Sequence, residues 1–131
     1  MNPFLDRAGI DDALVNGIVE LGPPGSGIAR RLRTVEAAAD AKLGLSEAAL
    51  IQRLSTRLGA SPQRRDVDGV SYLGWATIVG SGALNLNPAV LVVFLRAGAP
   101  TLHVRGYAKQ GLLKQRTARK AVDRFLASLQ V

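Results

Sequence analysis

The sequence predicts an α+β domain in which an antiparallel sheet of about four strands is covered by a C-terminal amphipathic helix. Three observations support this fold class. Residues 70–109 hold three strand candidates in quick succession, residues 46–58 before them have helical periodicity, and a long amphipathic stretch follows them. Strands joined by short turns are typical of an antiparallel meander. The predicted element order is therefore β-α-β-β-β-α.

Size and composition fit one domain. The chain has 131 residues with 47% hydrophobic content, and it contains no cysteine, so neither a disulfide nor a thiolate metal site can form. We divide it into residues 1–28, a less regular and partly helical N-terminal segment that ends in the Gly/Pro loop GPPGSG, and residues 29–131, a single α+β domain.

No segment of the sequence has the pattern of a signal peptide or a transmembrane helix. Asp6, Asp11 and Asp12 lie where a secretory signal requires a basic start and then an apolar run. The longest unbroken apolar run covers residues 89–95, far short of the ~20 residues of a spanning helix. We therefore expect a cytoplasmic protein.

The first two elements of the domain differ in clarity. Residues 30–39 show some alternation of arginine, valine and alanine, which favours a strand, although their alanines also suit a helix. We interpret them as a strand. Residues 46–58 form a helix with Ser46 as its N-cap, Glu47 in its first turn and Gly59 as its stop. The polar residues 60–69, ASPQRRDVDG, are predicted to be a loop.

The meander consists of strands at residues 70–79, 89–96 and 101–109. The middle run, AVLVVFL, is apolar on both faces, which predicts a central strand covered on both sides. A second layer or a second subunit must supply that cover, so self-association is one interpretation.

The final helix has an apolar stripe opposite a basic face. The stripe consists of Ala118, Ala121, Val122, Phe125 and Leu129, and the basic face of Arg116, Lys120 and Arg124. We expect Phe125 to be the residue whose loss costs most.

The segment GPPGSGIA resembles the phosphate-binding loop of nucleotide hydrolases over eight residues. Gly22 and Gly27 keep the glycine spacing, but Ile28 and Ala29 stand where that family has lysine and a hydroxyl residue. Both groups that hold phosphate and magnesium are therefore missing, and we interpret the segment as a turn.

The single histidine, His103, is predicted to lie half-exposed on a strand, and Asp66 and Asp68 form an isolated acidic pair. We therefore predict no catalytic residue, no metal site and no cofactor, which argues against an enzyme. The remaining candidate is the basic junction between the last strand and the last helix. There Arg105, Lys109, Gly111, Lys114 and Arg116 are predicted to form an anion site at a helix start that lacks an acidic cap.

These patterns favour a non-catalytic binding or interaction module. One alternative is that the basic junction binds an anionic partner, which is a nucleic acid, some other phosphate-bearing ligand or an anionic surface. A net charge of +7 favours this alternative. Another is a small-ligand carrier, because the order of strands and a long final helix is similar to that of the helix-grip ligand-binding folds. That resemblance implies a pocket between the sheet and the final helix.

Overall fold

The computed structural model describes residues 33–79, 89–110 and 117–129. In this part of the chain the elements are β1 (Arg33–Lys42), α1 (Glu47–Leu58), β2 (Gln63–Val67), β3 (Val70–Val79), β4 (Ala89–Arg96), β5 (Thr101–Gln110) and α2 (Thr117–Leu129). The strands form one antiparallel sheet in the order β1-β5-β4-β3-β2. The predicted α+β class, with a C-terminal helix on an antiparallel sheet, is confirmed, with five strands where about four were predicted.

The fifth strand is β2, in the segment predicted to be a loop. Its residues, QRRDV, are mostly charged and exposed, so their composition does not indicate a strand. A tight turn at Asp68 and Gly69 nevertheless pairs β2 with β3, and both turn residues have positive φ, at 52° and 79°. An Asp-Gly pair is the usual sequence of such a two-residue hairpin turn. The turn chemistry, and not strand propensity, therefore determines β2.

The helix predicted at residues 46–58 is confirmed by both of its ends. Ser46 is the N-cap, and its Oγ accepts a hydrogen bond from the backbone N–H of Ala49 at 3.2 Å. Gly59 ends the helix in the left-handed conformation with φ 68°. Leu50 and Leu54 are fully buried beneath it.

Both helices pack on one face of the sheet, which we call the inner face. Its core is a single apolar cluster to which α1, α2 and four of the strands contribute. Within it, α2 buries Ala118, Val122, Phe125 and Leu129, the residues of the predicted stripe except for Ala121, which is partly buried. The indole N–H of Trp75, on β3, donates to the carbonyl of Ala60 at 2.8 Å and so ties the α1–β2 connection to the sheet.

One feature of the inner face fixes how closely α2 approaches the sheet. Gly106 on β5 lies directly beneath α2, and a Cβ atom there would stand 2.7 Å from Val122 Cγ2 and 2.8 Å from the carbonyl oxygen of Ala118. Ordinary carbon contacts are about 3.5–4.0 Å. The helix therefore touches the backbone of β5 at this point, and there is no room for a ligand between Gly106 and Val122.

The opposite face of the sheet, which we call the outer face, holds a second apolar cluster. It contains Val90, Val92, Phe94 and Tyr107, with Tyr72 packed against them. All seven residues from Ala89 to Leu95 on β4 are buried in the single chain, at no more than 5% exposure. The prediction of a central strand covered on both faces is confirmed, and no second subunit is needed to bury it.

Candidate functional site

A constellation of three hydrogen-bonded polar side chains lies on the outer face, where β1 meets β5. The antiparallel register places Asp40 opposite His103 and Ala38 opposite Arg105. His103 and Arg105 therefore point to the same face as Phe94 and away from Leu102 and Val104. The prediction that His103 lies half-exposed on a strand is confirmed, since its side chain is 27% exposed.

Asp40 is the centre of this constellation. Its Oδ1 accepts from His103 Nδ1 at 2.8 Å and from Arg105 Nη1 at 3.1 Å. The hydrogen bond from His103, followed by that from Arg105 and the charge of Arg105, holds the pKa of Asp40 below its ordinary value, against the opposing effect of burial. The carboxylate is therefore ionised through the neutral and mildly acidic range.

The two side chains that bind Asp40 both rest on one aromatic ring. The imidazole of His103 stacks on Phe94 with ring centroids 4.9 Å apart, and the guanidinium of Arg105 lies 5.5 Å from the same ring. Arg105 also donates to the carbonyls of Val104 and Ala39, at 3.0 and 3.4 Å. Its side chain is only 13% exposed. The charge of Arg105 is thus neutralised and held inside the fold.

Chemically, this arrangement resembles the orientation of a histidine by a carboxylate. When Nδ1 donates its proton to Asp40, Nε2 carries the lone pair and can act as a base or a ligand. No described residue hydrogen-bonds to Nε2, and the side chain of His103 is 27% exposed. The described residues contain no group of three or more acidic or histidine side chains that could hold a metal ion. The constellation supplies an oriented imidazole without an adjacent hydroxyl nucleophile among the described residues.

The structure describes two of the five residues of the predicted anion site, Arg105 and Lys109. Arg105 binds Asp40, and Lys109 is buried at 9% exposure on the same face of β5, four residues further along the strand. Gly111, Lys114 and Arg116 lie outside the described residues, as does GPPGSG. Gly106, which follows Arg105 on β5, contacts α2 on the inner face and leaves no room for an anion there.

A different set of cations lies on the helical side of the molecule. Arg53 and Arg57 on α1 are exposed, as are Lys120 and Arg124 on α2. In each pair the two residues are one turn apart, about 6 Å along the helix axis. None of the four has a carboxylate partner among the described residues, although Arg64, Arg105 and Arg119 pair with Asp66, Asp40 and Asp123.

The two arginines of α1 also hold the end of α2. Arg53 Nη1 donates to the carbonyl of Leu129 at 3.1 Å, and Arg57 Nε donates to Ser128 Oγ at 3.2 Å. Cations are favourable there because a helix C-terminus has unpaired carbonyls and a partial negative charge. An open groove of about 440 Å³ follows this contact, and it is lined by Ala49, Gln52, Arg53, Thr56, Arg57, Ser128 and Leu129. These contacts fix the α1 guanidinium groups while their other N–H donors stay available.

Comparisons of the chain with protein-family models, with curated proteins and with solved structures gave no match. None of the helices in the described ranges is long and apolar enough to cross a membrane.

Proposed function

We propose that this protein is a non-catalytic binding module that takes an anionic partner on its helical side, and that the partner is a nucleic acid duplex. The proposal rests on one observation. Arg53 and Arg57 on α1, and Lys120 and Arg124 on α2, are exposed and have no carboxylate partner among the described residues. Unpaired surface cations in a group attract phosphate backbones, and they release counterions on binding.

The acidic residues of this side do not offset the four cations. Glu47 Oε2 accepts from the backbone N–H of Gly98 at 2.8 Å, and Asp123 lies 3.8 Å from Arg119 on the flank of α2 that faces β1. Neither carboxylate pairs with any of the four cations, and two acidic groups do not balance them. The helical side therefore carries an excess of positive charge. This charge is not neutralised by an ion pair within the described residues, unlike that of Arg105, which pairs with Asp40.

The position of the aromatic rings favours a duplex over a single strand. Single-stranded nucleic acids are held largely by bases stacked on exposed aromatic side chains. In the described residues Trp75, Phe94, Tyr107 and Phe125 are buried, and Tyr72 packs on the outer face of the sheet. The helical side offers cations without stacking rings, which suits contact with phosphates alone and little sequence preference.

The test is the salt dependence of binding to a short, labelled, mixed-sequence DNA duplex, measured by fluorescence anisotropy. Four phosphate contacts predict a slope of about −3.6 for the logarithm of the binding constant against the logarithm of salt concentration. In Lys120→Gln/Arg124→Gln the slope should fall in magnitude by about 1.8, with stability unchanged because neither side chain makes a hydrogen bond to a described residue. Arg64→Gln is the matched control, since Arg64 is exposed but paired with Asp66.

Absence of binding to the duplex at low salt would overturn the proposal. Binding that Lys120→Gln/Arg124→Gln leaves unchanged would also contradict it, because the four cations would then not be the contact surface. Tighter binding to a single strand of the same length, or to vesicles with anionic lipid and not to the duplex, would assign the cationic surface to another partner.

A further inference from the structure

Strand β1 lies at one edge of the described sheet. In the described sheet β1 pairs with β5 on one side only. The direction of its backbone groups follows from one hydrogen bond, Ala97 N–H to the Ser71 carbonyl at 2.9 Å. This bond shows that the backbone N–H and C=O groups of the odd-numbered residues of β4 point toward β3, and those of its even-numbered residues toward β5. The β3–β4, β4–β5 and β1–β5 ladders run without interruption, so the backbone groups of the odd-numbered residues of β1 point toward β5. Those of its even-numbered residues point away from β5, to the free edge.

Five residues of β1 therefore present their backbone N–H and C=O groups at the free edge: Thr34, Glu36, Ala38, Asp40 and Lys42. An unpaired row of this kind is a template for another strand. Among the described residues, the one side chain that donates to this row is Arg119 of α2, whose Nη2 lies 3.1 Å from the Ala38 carbonyl. Arg119 thus covers the middle of the edge.

The charges along the edge select a second copy of the chain as the occupant. Consider two β1 strands paired antiparallel so that Glu36 of each lies opposite Lys42 of the other, with Ala38 opposite Asp40. Two cross-strand pairs of opposite charge then form. A shift of the register by two residues in one direction places Glu36 opposite Asp40, and a shift in the other places Asp40 opposite its own copy. Both shifts bring acid against acid, and Glu36 and Lys42 form no ion pair with another described residue.

We propose that the free edge of β1 pairs with the β1 edge of a second copy in the register that places Glu36 opposite Lys42, and that Arg119 restrains this pairing. The result is a weak dimer with a continuous sheet and both helical layers on the same side. The two-fold axis passes through Ala39, next to the carbonyl that Arg119 occupies. Both Arg119 side chains must therefore release the Ala38 carbonyls when the dimer forms. Their like charges then lie close together beside the two-fold axis and repel each other.

The register is tested by charge reversal, with the dimer dissociation constant measured by analytical ultracentrifugation. Lys42→Glu and Glu36→Lys each replace two attractive pairs by two repulsive ones and should weaken the dimer at least about tenfold. The double variant Glu36→Lys/Lys42→Glu restores both pairs and should return the constant to the wild-type value. Arg96→Glu, an exposed reversal at the end of β4, is the control for net charge.

The role of Arg119 is tested by Arg119→Ala, which should tighten the dimer by about fivefold or more, since one restraining hydrogen bond per copy is lost. Ala38→Pro in that background should abolish the dimer, because proline removes an N–H at the free edge without breaking the β1–β5 ladder. The emission of Trp75 reports whether each variant is folded. A wild-type protein and an Arg119→Ala variant that both stay monomeric overturn the proposal, as does a double charge reversal that fails to restore the dimer.

Discussion

Replacing Gly106 by alanine tests the direct contact between α2 and the sheet. The new Cβ would lie 2.7 Å from Val122 Cγ2 and 2.8 Å from the Ala118 carbonyl oxygen. Relief to an ordinary contact of about 3.5–4.0 Å requires a movement of about 1 Å. The Val122 methyl can rotate or shift in part, but the carbonyl belongs to the backbone of α2 and moves only with the helix. The whole helix must therefore lift from β5.

Overpacking of this kind costs about 1–3 kcal/mol of unfolding free energy. Alanine restricts the unfolded chain more than glycine does, which returns roughly 0.5–1 kcal/mol. We therefore expect Gly106→Ala to destabilise the protein by about 1–2 kcal/mol. Urea unfolding followed through the emission of Trp75, the single and buried tryptophan, measures it as a lower midpoint at unchanged slope.

A double-mutant cycle with Val122→Ala separates the contact with the Val122 side chain from the contact with the helix backbone. Val122→Ala removes one of the two close contacts and leaves the Ala118 carbonyl in place. The cost of Gly106→Ala should therefore be smaller in the Val122→Ala background but should not vanish. If Gly106→Ala leaves the midpoint unchanged or raises it in the wild-type background, α2 does not rest on the β5 backbone and the inferred packing is wrong.

Two further predictions concern the core and the outer face. Phe125→Ala should cost about 3–5 kcal/mol of unfolding free energy, because Phe125 is buried in the cluster between α2 and the sheet, whereas Leu126→Ala, on its partly buried flank, should cost less. For Asp40, whose pKa is lowered by His103 and Arg105, the stabilisation from the folded environment is present above the unfolded pKa and is lost as pH falls through the folded pKa. The difference in unfolding free energy between wild type and Asp40→Asn should therefore shrink as pH falls below about 3.9. Urea unfolding at a series of pH values measures this difference. A difference that grows in acid would contradict a lowered pKa for Asp40.

Short sequence signals predicted correctly those elements whose ends are set by neighbouring residues, such as α1. Ser46 and Gly59 mark the ends of α1 because a cap and a left-handed stop are local requirements. Strand β1 was predicted from a weak alternation, and it extends to Lys42, beyond the alanine-rich part of the segment. Strand β2 was missed because its composition is that of a loop. The Asp68–Gly69 pair was the signal that could have revealed it, since this pair is typical of a two-residue hairpin turn.

The outer-face constellation depends on information that local patterns do not carry. His103 was predicted as a half-exposed strand residue, but its partner Asp40 lies 63 positions earlier in the chain. Only the pairing of β1 with β5 brings them together, and the residues of either strand do not specify that register by themselves. The basic junction stays a prediction, because Gly111, Lys114 and Arg116 lie outside the described residues and Arg105 is committed to Asp40.

The adjacency of β1 and β5 also shapes the order in which the protein can fold. The four strands β2 to β5 are consecutive neighbours, so each pairs with a segment that has just been made. The partners of β1 lie on β5, roughly 60 to 75 residues later in the chain. Pairing of the two strands closes a long loop, which is slow and costs conformational entropy. Of the described strands, β1 leaves the ribosome first, yet it can pair with β5 only when β5 has emerged. Among the described strands β1 is therefore the last to gain its hydrogen bonds, and until then it is open to pairing with other chains.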